Sequence, residues 1–493
     1  MDSAPQEIVL SIVEQLDKVT DLCTILNLRL VSKKWLQVAT PFIYVIAQDP
    51  YWPCDSHRKH DLGVLTRLND KLAVRPDLAC IIKELHMFPL RIENRVRTRI
   101  PLALMNRNRQ QWEILNGLKF LPLELKLQII RDLTSDVDSG LVAFVLLLCR
   151  DIEVLEIEQR YFHFGPSLRG IFHLAANANT NATAAGLPGA LPPNKDMLLS
   201  KLTRLKIGDK FECVTINDVL TFLSLPRLQH LEVDGLIDYY DNGFEDDDDD
   251  EDDQSNSSEE EEQALTPHPS PTRPVPHWFR TYLPDTSEPD FNKYAPARNP
   301  ISLHFHGSWI TPHGLSLILA ACEQPRTLYV HVTGLIDADA PDYTRTFAAH
   351  GRGLRSIILD TTECPGEGVL AGAEATAFLG ALRANHGATL RALAVSRAFL
   401  PGTRDMAGLL PRELRELAFL FARIRRGHGL PADEMLAHAA LLGATAPRLS
   451  RLAYIPSYLV RMPRWYEGFG LREGAEGPER EWLESHGCVL FDW

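Results

Sequence analysis

The chain has 493 residues, 45% hydrophobic and 24% charged, the balance of an ordinary soluble protein with room for two or three domains or one extended repeat array. Its formal net charge is −14, but thirteen acidic residues fall between Glu245 and Glu262, so the remainder is close to neutral. That excludes a protein built to bind nucleic acid through its overall field.

In chain order, the first stretch with a strong pattern is Pro5 to Ala39. Pro5 suits the first position of a helix, and Ile8, Val9, Ile12, Val13 and Leu16 follow at helical spacing. Thr20 and Asp21 cap a second helical segment carrying Leu22, Ile25 and Leu26, and a third carries Val31, Trp35 and Val38 before Pro41. Three helices this short enclose little core, so their apolar surplus marks a docking surface. Pro5, Glu7-Ile8, Ile12, Leu16, Asp21-Leu22 and Leu30-Val31-Ser32-Lys33-x-Trp35 with Ala39 resemble an F-box. This module joins substrate receptors to Skp/cullin/F-box ubiquitin ligases. Ala4 stands where that family usually has Leu before Pro, and Asp21 to Val31 is about one helical turn longer than usual. The resemblance implies that Pro5, Ile8, Ile12, Leu16, Leu22, Val31 and Trp35 contact a Skp-type adaptor, and through it a cullin. Residues 1–49 form this element.

After Pro41–Asp49, which has strand composition, and a helical pattern over Leu62–Leu72, a short pattern begins to recur. Apolar-x-x-apolar-x-apolar is found at Ile82–Met87, Ile152–Ile157, Leu202–Ile207, Leu228–Val233, Leu354–Leu359, Leu390–Val395, Leu414–Phe419 and Leu449–Tyr454. Weaker copies centre on Leu303-x-Phe305 and Val330-x-Val332. The template matches the strand of a leucine-rich repeat, and several intervals fall in the expected range of about 20 to 29 residues. Helical patterns at Thr215–Leu223, Thr311–Cys322, Ala373–Asn385 and Ala432–Leu442 lie between these strands. Leu121-Pro122-Leu123-Glu124-Leu125 resembles a second F-box opening, but no Val-Ser-Lys-x-Trp follows, and it reads as a helix of a large first repeat.

The expected architecture is thus an α/β repeat: a small three-helix F-box, then an irregular leucine-rich-repeat horseshoe over 50–240 and 301–462. A doubly wound α/β domain is the competing architecture. The stretch Ala175–Lys195 is too plain to pack and reads as an insertion. Residues 241–300, acidic and then rich in proline, read as a second, disordered insertion with phosphorylation patterns at Ser257, Ser258, Thr266 and Ser270. Residues 463–493, rich in aromatics, read as a terminal cap.

Chemistry is sparse. Eight scattered cysteines with no Cys-x-x-Cys pair suggest neither a disulfide framework nor a zinc site. His304 and His306 share a strand face, yet no carboxylate or Cys lies at ligand spacing in the sequence. No phosphate loop or nucleophile elbow is present, so no catalytic residue, cofactor or metal is expected. The longest apolar run, Leu141–Cys149, is half of what spans a bilayer, and the N-terminus does not read as a signal peptide. A cytoplasmic or nuclear chain without membrane contact is expected. Arg412, Arg415, Arg423, Arg425, Arg426 and His428 form a basic cluster, and Arg415, Arg423 and Arg425 are candidates for binding an acidic or phosphorylated target. The functional expectation is a substrate receptor that docks through its head and binds an unknown protein target elsewhere. The alternative is an interaction scaffold without a ligase role.

Overall fold

All ten segments that carry the recurring pattern are strands in the computed structural model of the protein. It describes residues 5–16, 22–28, 31–35, 38–39, 46–48, 63–87, 102–134, 138–159, 164–184, 198–209, 214–238, 297–299, 301–333, 343–363, 372–396, 399, 406, 408–421, 439–440, 442, 448–456 and 489–492. Within each strand, alternate side chains face opposite sides. Leu205 and Ile207, Leu231 and Val233, Leu303 and Phe305, and Ile357 and Leu359 join helix side chains such as Ile129, Phe172, Val219, Leu315 and Phe378 in one continuous core. The helices therefore cover one face of the sheet, and the intervening residues form the other.

Among the described residues the main sheet has twelve strands. They are β1 (Ile46–Gln48), β2 (Glu84–Met87), β3 (Val154–Gln159), β4 (Arg204–Asp209), β6 (His230–Asp234), β8 (Ile301–Ser308), β9 (Pro325–Thr333), β10 (Ser356–Glu363), β11 (Ala392–Ser396), β12 (Glu416–Phe421), β13 (Arg451–Pro456) and β14 (Val489–Asp492). Two short strands, β5 (Val214–Thr215) and β7 (Leu236–Ile237), pair separately in parallel. Every neighbour in the main sheet pairs in parallel except β13 and β14, which are antiparallel.

This corrects the expected three-helix F-box and leucine-rich-repeat horseshoe: the described residues form an α/β fold with one large, almost wholly parallel sheet. The strands cross the sheet in chain order with no reversal, so it is not doubly wound either. The physical reason lies in what the pattern reports. Apolar-x-x-apolar-x-apolar marks a strand with one face on a core and an apolar entry turn, a demand met by any parallel strand fed by a helix. It says nothing of a constant unit. The connections differ in kind: three helices lie between β2 and β3, α5 (Leu102–Gly117), α6 (Leu123–Thr134) and α7 (Asp138–Leu148), and one lies between β4 and β6. At the N-terminus, α1 (Gln6–Glu14) and α2 (Leu22–Leu28) are helical, and helical residues also occur at 33–35 and 38–39. These do not add up to three complete helices among the described residues.

The remaining helices are α3 (Gly63–Val74), α4 (Pro76–Ala79), α8 (Pro166–Ala184), α9 (Ile216–Leu223), α10 (Pro312–Ala320), α11 (Thr344–Ala349) and α12 (Gly372–His386). The apolar run Leu141–Leu147 is buried all round in α7, as a helix without a polar face must be. Asp132 of α6 ties that region together by accepting hydrogen bonds from Gln128 (2.8 Å) and from Ser167 of α8. The stretch expected to be too plain to pack is helical as far as Ala184, with Ala175 and Ala176 buried. Phe172 of α8 lies 4.8 Å from Phe222 of α9 and 5.9 Å from Phe164, ring centre to ring centre.

Two helices begin on side-chain caps. Thr215 and Asp218 form a reciprocal capping box on α9. Thr311 caps α10, with Pro312 at its first position. Gly314 of α10 sits where a Cβ would fall 1.9 Å from the Asp238 carboxylate and 2.3 Å from Ile216, so a side chain there is excluded. Asp238 accepts hydrogen bonds from the Thr311 N–H (2.8 Å) and its hydroxyl.

The acidic run at 245–262, Arg423, Arg425, and Trp465, Tyr466, Phe469 and Trp482 of the expected cap lie outside the described residues. Phe491 falls within β14.

The aromatic cluster predicts a large response to truncation. Phe172→Ala is expected to destabilise the sheet and helix layer by about 3–5 kcal/mol, read as a lower urea midpoint.

Candidate functional site

The N-terminal element has two faces. Val9 and Val13 of α1, Ile25 of α2, Trp35, Val38 and Ala39 are buried together in a small cluster separate from the main core, with Leu16 and Leu28 packed against it. Ser32 accepts a hydrogen bond from the Trp35 N–H at 3.4 Å and so starts the third helical turn. The second face is exposed and apolar: Ile8 is 53% exposed, Ile12 46% and Val31 52%. Ile8 and Ile12 stand one turn apart and share a side of α1. Of the residues expected to touch an adaptor, Pro5, Ile8, Ile12 and Val31 are therefore on the surface. Leu16 is half-buried, Leu22 lies in α2, and Trp35 is an internal residue of the small core.

The face of the sheet away from the helices carries the second site. Parallel register aligns His86, Glu156, Lys206, Glu232, His304 and Tyr329 in one row across β2, β3, β4, β6, β8 and β9. The row alternates in charge. Glu156 meets His86 Nδ1 at 2.7 Å and Arg204 Nε at 3.1 Å. Glu232, 3% exposed, meets Lys206 Nζ through Oε1 at 2.8 Å. Its other oxygen, Oε2, lies 3.6 Å from His230 Nε2, and His306 Nε2 is 3.6 Å from Oε1. The His230 and His304 rings are edge to face at 4.7 Å, and the His306 and Tyr329 rings are 4.6 Å apart. A bulge in β8 puts Gly307 at φ +53°, where its N–H donates to His331 Nδ1 at 3.1 Å.

Burial and charge set the protonation of this face. Burial alone would raise Glu232, but His230 beside it and the charges of Lys206 and His306 outweigh burial and hold the carboxyl well below its usual range. Burial pushes His304 well below the ordinary imidazole value, helped by repulsion from His230 and His306, so the ring is neutral near pH 7. Burial would lower His86 too, but its contacts with Glu156 and Glu84 prevail and raise it. Elsewhere, burial pushes the thiols of Cys149 and Cys322 up to about 12, leaving them protonated and poor nucleophiles.

A third feature lies along the strand starts. Arg326, Arg355, Arg391 and Arg415 are exposed and occupy successive strands at the same level. Backbone N–H groups of Arg355, Arg391 and Arg415 donate to the carbonyls of Arg326, Arg355 and Arg391 at 2.7, 2.8 and 2.8 Å. Neighbouring strands are about 4.8 Å apart, so four guanidinium stems line up at that interval. Arg415, singled out in the sequence, is thus one member of a row.

Comparison with protein-family models and with characterised proteins returns no match for this chain. Along the chain, His304 and His306 have no carboxylate at ligand spacing. Glu232 is 72 residues before His304 and directly opposite it in register, so only strand pairing reveals the contact. The arginine row did leave a signal: Leu354-Arg355, Leu390-Arg391 and Leu414-Arg415 repeat one slot of one pattern.

The lowered His304 gives a pH dependence with a definite sign. An unfolded imidazole takes up a proton near its ordinary 6.5, whereas the folded one does so only at lower pH, so this group costs stability as pH falls from 7 to 5. His173 and His386, also lowered by burial, act the same way. Burial raises Asp238 to about 6, which favours the folded state at low pH and loses that contribution as pH rises through 6. His304→Asn is expected to shrink the loss of stability between pH 7 and 5, measured as urea midpoints at each pH.

Proposed function

We propose that this protein is a substrate-recognition adaptor of a Skp/cullin/F-box ubiquitin ligase, with its N-terminal helices docking on a Skp-type adaptor and its sheet carrying the target. The observation that carries the reading is the exposed apolar side of the N-terminal element, Ile8, Ile12 and Val31, backed by a private core around Trp35. An element of this size buries too little surface to account for two large aliphatic side chains left in water on one helix turn, and a protein partner would cover them. The F-box-like motif supplies the same residues from the sequence. No described helix is long and apolar enough to cross a membrane.

The arginine row is the target-binding candidate. Guanidinium groups suit carboxylates and phosphates, so an extended acidic or phosphorylated segment of the target fits a row spaced by strand separation. The chemistry asked of this chain is then proximity alone. Holding a target beside a ubiquitin-loaded enzyme raises its effective concentration, to the order of millimolar for a short tether.

The test uses the full chain and a purified Skp-type adaptor. The wild-type chain is expected to co-purify with it, and Ile8→Asp with Val31→Asp to weaken binding by more than about a hundredfold while leaving the circular dichroism and melting temperature unchanged. Trp35→Ala is expected to act differently, loosening the N-terminal element itself by about 3 kcal/mol or more. Absence of binding by the intact chain would sink the proposal. For the row, Arg355→Glu with Arg391→Glu is expected to abolish salt-sensitive capture of acidic peptides, measured by fluorescence anisotropy.

A further inference from the structure

We infer that His230, Glu232 and His304 form a binding site for one divalent transition-metal ion of the zinc type. One ligand atom from each of the three lies within 4.8 Å of the others, and two of the three residues are fully buried. One separation is the most telling. His230 Nε2 and Glu232 Oε2 are 3.6 Å apart, too far for a hydrogen bond. Tetrahedral ligands about 2.1 Å from zinc lie about 3.4 Å from each other. Both atoms are buried, and neither has a hydrogen-bond partner. A buried carboxylate oxygen and a buried imidazole nitrogen held at this separation each forgo a hydrogen bond, a cost that a shared cation removes.

The donor chemistry agrees. Two imidazoles and a carboxylate make a borderline set suited to zinc rather than to calcium or magnesium, which prefer all-oxygen shells. Lys206 occupies the far oxygen of Glu232 at 2.8 Å and so orients the carboxylate from behind, as outer partners of metal ligands do. With three protein ligands, the fourth position is left to water or to a group from a partner.

The site also joins strands that the chain separates. His230 and Glu232 are on β6 and His304 is on β8, on either side of the long segment that contains the acidic run. A metal bridging them closes that loop and is linked to folding in proportion to its affinity.

The experiment uses the full chain without an affinity tag, stripped by a chelator and titrated with Zn2+ and separately with Co2+. The expected result is one equivalent of Zn2+ per chain, a raised melting temperature, and a visible Co2+ spectrum characteristic of low coordination number. Glu232→Gln and His230→Gln are each expected to weaken Zn2+ binding by more than about a hundredfold, beyond what loss of an outer partner does. His230 is half-buried, so its variant keeps the test independent of any folding defect in the Glu232 variant. His86→Gln, in the same row three strands away, is expected to bind as the wild type does. No uptake by the wild-type chain, or uptake by both ligand variants equal to it, overturns the inference. The outcome is separate from the adaptor proposal, which is read from complex formation by the metal-free chain.

Discussion

The structure depends on parallel register. Each strand of the main sheet fixes, with one set of hydrogen bonds, both which of its side chains enter the core and which lie beside their counterparts on the next strand. Leu205, Leu231, Leu303, Leu328 and Ile357 occupy one such level on the core side. A slip by one residue would put Glu232 and His304 against the helices and Leu231 and Leu303 in the polar row. The apolar pattern therefore does more than hold the sheet to its helices. It positions every polar contact on the opposite face, including those between residues more than seventy positions apart.

How far the sequence could be read follows from that division. Apolar patterns of strand and helix are local, and they mark ten strands and the helical stretches that begin at Thr215 and Thr311. Pairing partners are non-local. The shared template suggests a repeat architecture, and the sheet that formed is not that architecture, because one strand template is compatible with any parallel arrangement fed by helices. The same limit hid Glu232 from His304. Short elements without a periodic pattern, β5, β7 and β14, left no usable signal at all. In the N-terminal element the residues of the motif divide between two faces that the motif does not distinguish: Trp35 faces inward, while Ile8, Ile12 and Val31 face water.

The polar row itself changes character along the sheet. From β2 to β9 it carries His86, Glu156, Lys206, Glu232, His304 and Tyr329, and from β10 onward the same level carries Ile358, Ala394, Ala418 and Ala453. The ionic half depends on mutual compensation, since each acid is held ionised by bases on both sides. Removing one member leaves the groups in direct contact with it buried and uncompensated. The apolar half has no such coupling.

The reversal at β14 has a consequence for the protein as a material. A stack of parallel strands has no inherent last layer, and its open end is a growth face for any chain with matching pattern. Here the main sheet begins on three residues, Ile46–Gln48, and finishes on four, Val489–Asp492, that run against the direction of all the rest. The final strand presents the wrong polarity for another copy of the repeating strand. At that end the reversal opposes extension of the sheet by a second copy.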